Sequence, residues 1–359
     1  MPDENKKIAV GIVCTTPPEP CGIGAYFSNV SAEIEKLARV VRIGTGKSNA
    51  DYVIDFKSMG LKARLAEIIR KEKLDVLHFH YIAYFYGKWT LNLNFVNALS
   101  LKIPKVTTLH EAQFEPRGIR GRILSVIERQ VCEKSDVICL HTPRQLEFLT
   151  KKYRVNEGRL IYYGFVPKPM AEKAGKNLLF FGILSPGKGL EYLIRAMAGL
   201  SGYKLRIVGS KTTPECGEYQ GLLMAEIEKS PNKADIELIT KPWFSEDEKE
   251  GHFRWANMVV LSHLWAPYHS GIVGDAGVYG LPIVVTRTGA VWELVEHFHS
   301  GEIAEPRNPE SLAEAVKKVS KNYLSYMEGI KKYREEANCK KSAEKYVDAY
   351  RAAIAKHKK

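Results

Sequence analysis

Short runs rich in Val, Ile, Leu and Phe recur through the first half of the chain: residues 8–14 (IAVGIVC), 40–44 (VVRIG), 75–80 (DVLHFH), 105–110 (KVTTLH), 136–141 (DVICLH) and 159–165 (RLIYYGF). The segments between them place apolar residues at helical spacing. Continuous apolar strands separated by helices predict an α/β fold, with a parallel sheet covered on both faces. Residues 167–176 (PKPMAEKAGK) interrupt the pattern, which restarts at 177–184, 204–210, 235–240, 258–264 and 281–289. The expectation is therefore two doubly wound, Rossmann-like domains, 1–166 and 177–335, joined by the linker 167–176. Ligands of such sheets sit at the carboxyl ends of the strands, so the site is expected in a cleft where the two halves face each other.

The tail, 336–359, spaces Tyr346, Val347, Tyr350 and Ile354 as one face of a helix. Such a stripe predicts a helix packed on a domain core.

The length, 359 residues, suits two domains of about 150 residues each. With 45% hydrophobic and 26% charged residues the chain reads as globular, which excludes disorder, collagen and coiled coil. Lys and Arg outnumber Asp and Glu by 53 to 41, a net charge of +12 that favours phosphates, nucleic acid or an anionic membrane face. No nucleic-acid recognition motif accompanies the charge, which makes nucleic acid the weakest of these partners. The six cysteines (Cys14, Cys21, Cys132, Cys139, Cys216, Cys339) form neither a CxxC pair nor a Cys/His cluster. They read as reduced thiols of a cytoplasmic protein, with no zinc site signalled. No apolar run reaches about 18 residues, and the start lacks a signal-peptide pattern.

Three strand-to-helix turns carry candidate chemistry. After the first strand, Gly22, Ile23 and Gly24 open a helical pattern, where glycines let backbone N–H groups approach a phosphate. A tight turn that merely needs glycine is the plain alternative, and the third glycine of the dinucleotide fingerprint is absent. After the seventh run, Ser185-Pro186-Gly187-Lys188-Gly189 sets a lysine between glycines, a plausible diphosphate site or simply an exposed turn. It is no Walker loop, because Gly189 stands where Ser or Thr is required. Farther on, Ser270, Gly271, Ile272 and Val273 begin a small-residue helix whose N–H groups can meet an anion. Asp275, one turn in, can accept from ribose hydroxyls. Thr288-Gly289-Ala290-Val291-Trp292-Glu293 repeats a strand-end glycine turn.

These motifs, in this order, resemble the retaining GT-B glycosyltransferases of family 4 over nearly the whole chain. The resemblance rests on the GxGxY turn (Gly22, Gly24, Tyr26), DVLHFH, TLHE (Thr108 to Glu111), SDVICLHTPRQLEFL, the GKG turn, RIVGS, and DAGVYGLPIVVTRTGAVWE. It implies two Rossmann-like domains with a C-terminal helix crossing back to the first. It further implies transfer of a sugar from a UDP-, GDP- or ADP-linked donor to an acceptor, with retention of anomeric configuration and no cofactor or required metal. No DxD motif occurs in the sequence. By position, Lys188 would hold the donor diphosphate, Asp275 the ribose, and Gly22, Ile23 and Gly24 the distal phosphate. Ser270, Gly271, Ile272, Val273 and Glu293 would complete the donor site, and His110 would lie beside the transferred sugar, with Lys188 as its catalytic companion.

Two positions depart from the family pattern: Ile183 where arginine is usual, and Pro267 where the first of two glutamates is usual. They motivate an alternative, a catalytically silent GT-B protein that binds nucleotide or a partner. Another GT-B activity, an epimerase or phosphorylase, matches the ordered motifs less well. On the acceptor side, Tyr81, Tyr84, Phe114, Arg117, Arg120 and Arg122 combine aromatic and basic side chains. They suit a lipid-linked acceptor at the inner face of a membrane or stacking on sugar rings. Core aromatics and solvated arginines are the equal alternative.

Overall fold

The computed structural model describes residues 7–19, 21–87, 91–112, 118–170, 174–210, 215–266 and 270–357. The chain divides into two units, Met1–Val166 with Ala337–Lys359, and Pro167–Glu336.

The first unit runs β1 (Ala9–Val13), α1 (Gly22–Leu37), β2 (Arg39–Gly44), β3 (Tyr52–Val53), α2 (Leu61–Glu72), β4 (Val76–Tyr81), α3 (Leu93–Ala98), β5 (Lys105–Leu109), α4 (Gly118–Lys134), β6 (Val137–Leu140), α5 (Pro143–Lys152) and β7 (Gly158–Leu160). Its seven strands are parallel, in the order β3-β2-β1-β4-β5-β6-β7. The sheet is covered on both faces, which is why its central strands read as unbroken apolar runs. One face packs Leu77, Phe79, Leu109, Ile138 and Leu140 with α2, α3 and α4. The other packs Val10, Ile12, Val76, Val106 and Val137 with α1 and the last helix of the chain.

The second unit holds β8 (Asn177–Ile183), α6 (Leu190–Ala196), β9 (Lys204–Ser210), α7 (Glu215–Lys229), β10 (Ile236–Lys241), α8 (Glu246–Trp255), β11 (Met258–Leu261), α9 (Gly271–Tyr279), β12 (Ile283–Thr286), α10 (Glu293–Phe298), β13 (Gly301–Ala304), α11 (Pro309–Lys321) and α12 (Tyr323–Glu336). Six parallel strands lie in the order β10-β9-β8-β11-β12-β13.

The final helix, α13 (Cys339–His357), returns to the first unit, where Tyr346, Val347 and Tyr350 are buried and Ile354 packs on the same core. Its docking is specified by polar groups as well as apolar area. Tyr350 donates its hydroxyl proton to His78 Nδ1 at 2.8 Å, and His78 Nε2–H donates to Thr108 Oγ1 at 2.8 Å. Thr108 in turn donates to the Tyr346 oxygen at 3.3 Å. Because Thr108 donates onward to Tyr346, His78 donates from Nε2, and burial, which holds its pKa down at about 3, keeps the ring neutral and leaves Nδ1 to accept from Tyr350.

Strands and runs differ in three places. The run 159–165 yields only the three-residue β7, followed by a bridge from Phe165 to Asn338. β3 and β13 were not expected. Gly301-Glu302-Ile303-Ala304 lacks β-branched density and is recruited by pairing with β12.

Candidate active site

In each sheet the strand order reverses at one place, between β1 and β4 and between β8 and β11. Such switch points leave a crevice at the strands' carboxyl ends.

In the second unit, β8 ends in a single 3-10 turn, Pro186–Lys188, closed by Gly189 at φ 60°. A Cβ on Gly189 would lie 2.5 Å from the Ser262 carbonyl oxygen, so close approach and left-handed backbone both demand glycine. Three residues just past β11 grip this turn. Ser262 Oγ donates to the Lys188 carbonyl at 2.9 Å, Leu264 N–H to the Gly187 carbonyl at 2.8 Å, and Lys188 Nζ to His263 Nε2 at 2.8 Å. From β12, the Thr286 hydroxyl donates to the His263 carbonyl. Burial lowers the Lys188 pKa to about 8. Burial, with the Lys188 charge beside it, lowers His263 to about 3, so its imidazole is neutral and Nε2 carries a lone pair.

Pro267 lies outside the described residues. After it, Ser270 stands at the N-cap of α9, buried and with a hydroxyl that makes no cap. By contrast, Thr142 caps α5, Ser245 caps α8 in a capping box, and Asn308 caps α11. The Val273 N–H bonds to the Ser270 carbonyl at 3.0 Å, and the Ser270 hydroxyl caps none of the first-turn N–H groups. Asp275, the residue assigned to the ribose, has an ionic partner in the structure. It pairs with Lys249 of α8 at 2.7 Å, in a half-buried setting that raises its pKa against the pull of that lysine. Glu293, the first residue of α10, is buried. Ile183 ends β8 with its side chain 47% exposed.

In the first unit, Gly22, Ile23 and Gly24 form the first turn of α1, with Cys21 giving no side-chain cap and no acid in the turn. A Cβ on Gly24 would sit 2.6 Å from the Thr15 carbonyl oxygen, whereas one on Gly22 would meet open space. Beside this turn lies a buried chain of imidazoles. His141 Nδ1 is 2.8 Å from the Ile161 carbonyl, His141 Nε2 is 3.2 Å from His110 Nδ1, and His110 Nε2 is 3.0 Å from His80 Nδ1. Tyr26 stacks on Tyr163, with centroids 3.7 Å apart, against the same group.

His110 lies at the end of β5 as expected, with both ring nitrogens within hydrogen-bond distance of histidines. Tyr81 is corrected as an acceptor-side residue. It is buried in the core, its hydroxyl donating to Asn92 Oδ1 at 2.9 Å and its ring stacked on Tyr86 and Phe95. Tyr84 is 76% exposed, with Lys57 over its ring. Arg120 and Arg122 are exposed on α4 next to Ile119, itself 79% exposed, while Phe114 and Arg117 lie outside the described residues.

Sequence reasoning missed His263, Lys249, His80 and His141. The histidines had a signal: LHFH, LHE and LHT place them at the ends of β4, β5 and β6, three adjacent parallel strands. Among the described residues no group of three or more His, Cys, Asp and Glu side chains is arranged to hold a metal ion. No described helix is long and apolar enough to cross a membrane.

Two parallel-sheet units with glycine-rich turns at their switch points define a two-domain α/β protein of the nucleotide-binding kind. The chain belongs to the glycosyl transferases group 1 family, whose model matches residues 166–345. The model of Glycosyltransferase Family 4 matches residues 6–165. Uncharacterized glycosyltransferase MJ1178 of Methanocaldococcus jannaschii is 26% identical over 265 residues, covering 71% of this chain and 68% of the relative. Among solved structures, sucrose-phosphate synthase from Thermosynechococcus elongatus aligns with a TM-score of 0.76 at 14% identity, covering 98% of this chain and 100% of that one. Anabaena Alr3699/HepE in complex with UDP aligns at 0.74 and 14%, covering 96% and 100%. The chain is thus a glycosyltransferase by family and GT-B by fold.

Proposed function

We propose that the protein transfers a sugar from a nucleotide-sugar donor to an acceptor, with retention of configuration and without a required metal or other cofactor. The observation that carries this reading is Lys188, a cation of low hydration at the switch point of the second sheet, braced from β11 and β12. In this reading Lys188 holds the donor diphosphate, the first turn of α9 the adjoining phosphate oxygens, Asp275 the ribose, and Glu293 the sugar side of the donor. The first turn of α1 meets the distal phosphate, and His110 shapes the wall beside the transferred sugar through its ring edge. The structures of Anabaena Alr3699/HepE with UDP, and with UDP and glucose, support a nucleotide-sugar donor.

The acceptor is lipid-linked in this reading, and the protein works in the cytoplasm against an anionic membrane face. Exposed Ile119, Arg120 and Arg122 on α4 and exposed Tyr84 support that contact. Incubation with UDP-, GDP- and ADP-sugars, with and without anionic liposomes carrying polyprenyl phosphate, should release nucleoside diphosphate from one donor. Ile183, exposed where relatives of the resembled family carry arginine, favours the second reading of a silent nucleotide-binding protein. Tight binding of a nucleoside diphosphate with no turnover of any donor would establish that reading instead.

A further inference from the structure

Lys188 is held by an unusual partner. An aligned ammonium at an anion site is commonly imagined beside a carboxylate, but here one acceptor, at 2.8 Å, is the ring nitrogen of His263. An ammonium has three N–H donors, and a neutral imidazole engages one of them without cancelling the charge. A carboxylate in the same place would orient the lysine equally well and would also compete with a phosphate for it. His263 is itself fixed: it is buried, its carbonyl accepts from Thr286, and its neighbours Ser262 and Leu264 both bond to the Gly187-Lys188 backbone. Side chain and main chain of the lysine turn are thus set by one three-residue segment.

We propose that His263 is a positioning residue for Lys188, presenting a pre-oriented ammonium to the diphosphate of the donor. The inference rests on the reading of Lys188 as the diphosphate ligand. Preorganisation lowers the ordering cost of binding, so its removal should appear in diphosphate affinity and leave nucleoside affinity alone.

The test is calorimetry on the full chain with UDP, GDP and ADP and with the matching nucleosides. His263→Leu removes the acceptor and should weaken binding of the preferred diphosphate about tenfold, the nucleoside binding as before. His263→Gln keeps an acceptor oxygen near the Nε2 position and should bind within about threefold of wild type. In a Lys188→Ala background, His263→Leu should cause no further loss, the non-additive signature of a coupled pair. Wild-type affinity in His263→Leu, equal weakness in Leu and Gln variants, or additive losses in the double variant would overturn the proposal. If Lys188→Ala binds diphosphate as wild type does, or if wild type binds none of the three, the diphosphate reading falls and this inference with it. A loss in Lys188→Ala beside wild-type binding in His263→Leu overturns the positioning role alone.

Discussion

The imidazoles of His110 and His141 lie 3.2 Å apart, Nδ1 to Nε2, at the ends of neighbouring parallel strands. A carbonyl can only accept, so His141 must donate Nδ1–H to Ile161 and leave Nε2 as an acceptor. His110 then donates from Nδ1 and accepts at Nε2 from His80 Nδ1–H. In neutral rings one carbonyl fixes the three tautomers, and burial favours the neutral form of the two end rings, lowering His141 to about 4 and His80 well below the ordinary histidine value.

Acid should therefore loosen the first unit before carboxylates titrate. The unfolded chain binds protons near pH 6.5, whereas folded His78, His80 and His141 refuse them until far lower pH. Stability should be flat above about pH 7 and should fall between about pH 6.5 and pH 4.5, by roughly 2 kcal/mol or more. Urea midpoints at pH 7.5, 6 and 5 check this; a constant midpoint would refute the neutral chain.

The C-terminal helix offers a second check. Tyr350→Phe removes one oxygen and leaves His78 Nδ1 buried without its donor. The cost of an orphaned buried acceptor is about 1–3 kcal/mol, so the urea midpoint should drop with little change in secondary structure by circular dichroism. An unchanged midpoint would mean that α13 docks by its apolar face alone.

Much of this molecule is legible in local pattern, because a strand buried on both faces must be apolar throughout and a helix at a switch point starts with glycine. The runs at 105–110 and 204–210 fall on β5 and β9, and the Tyr346–Tyr350 stripe falls on the core. What stayed hidden are pairings across long chain separations. His263 reaches Lys188 over 75 residues, and Lys249 reaches Asp275 from a different helix. A lysine beside a histidine carries no periodic signature. Nor does the sequence distinguish a tyrosine such as Tyr81, bonded to Asn92 inside the core, from one such as Tyr84 on the surface.

The glycine turn at α1 separates two roles that one motif joins. At Gly24 an added methyl would press on the Thr15 backbone oxygen at 2.6 Å, and backbone cannot swing aside as a side chain can. Gly24→Ala should destabilise by roughly 1–3 kcal/mol. Gly22→Ala meets open space at the first helical position and should be neutral or slightly stabilising. Equal midpoints for the two variants would show that the turn relaxes freely.

Asp275 and Lys249 decide how the ribose is held. In the structure the carboxylate is matched to an ammonium at 2.7 Å, and both side chains are only partly exposed. If Asp275 also accepts from ribose hydroxyls, it has oxygen lone pairs enough to serve both partners, since an ionised carboxylate offers about four acceptor sites. Lys249 then acts as its counter-charge, keeping the carboxylate ionised against the burial that raises its pKa. Asp275→Ala should weaken nucleoside, nucleoside diphosphate and nucleotide sugar alike, by about tenfold, because the contact is made before any chemistry. Lys249→Met should weaken all three less at pH 8 than at pH 6, since the unpaired carboxylate would recover its charge as the pH rises. Asn at position 275 keeps an acceptor oxygen and should fall between wild type and alanine. Calorimetry of wild type, Asp275→Ala, Asp275→Asn and Lys249→Met at both pH values separates the cases. Should Asp275→Ala bind every ligand as wild type does while its urea midpoint falls, the ion pair is a brace between α8 and α9, and the ribose is held elsewhere.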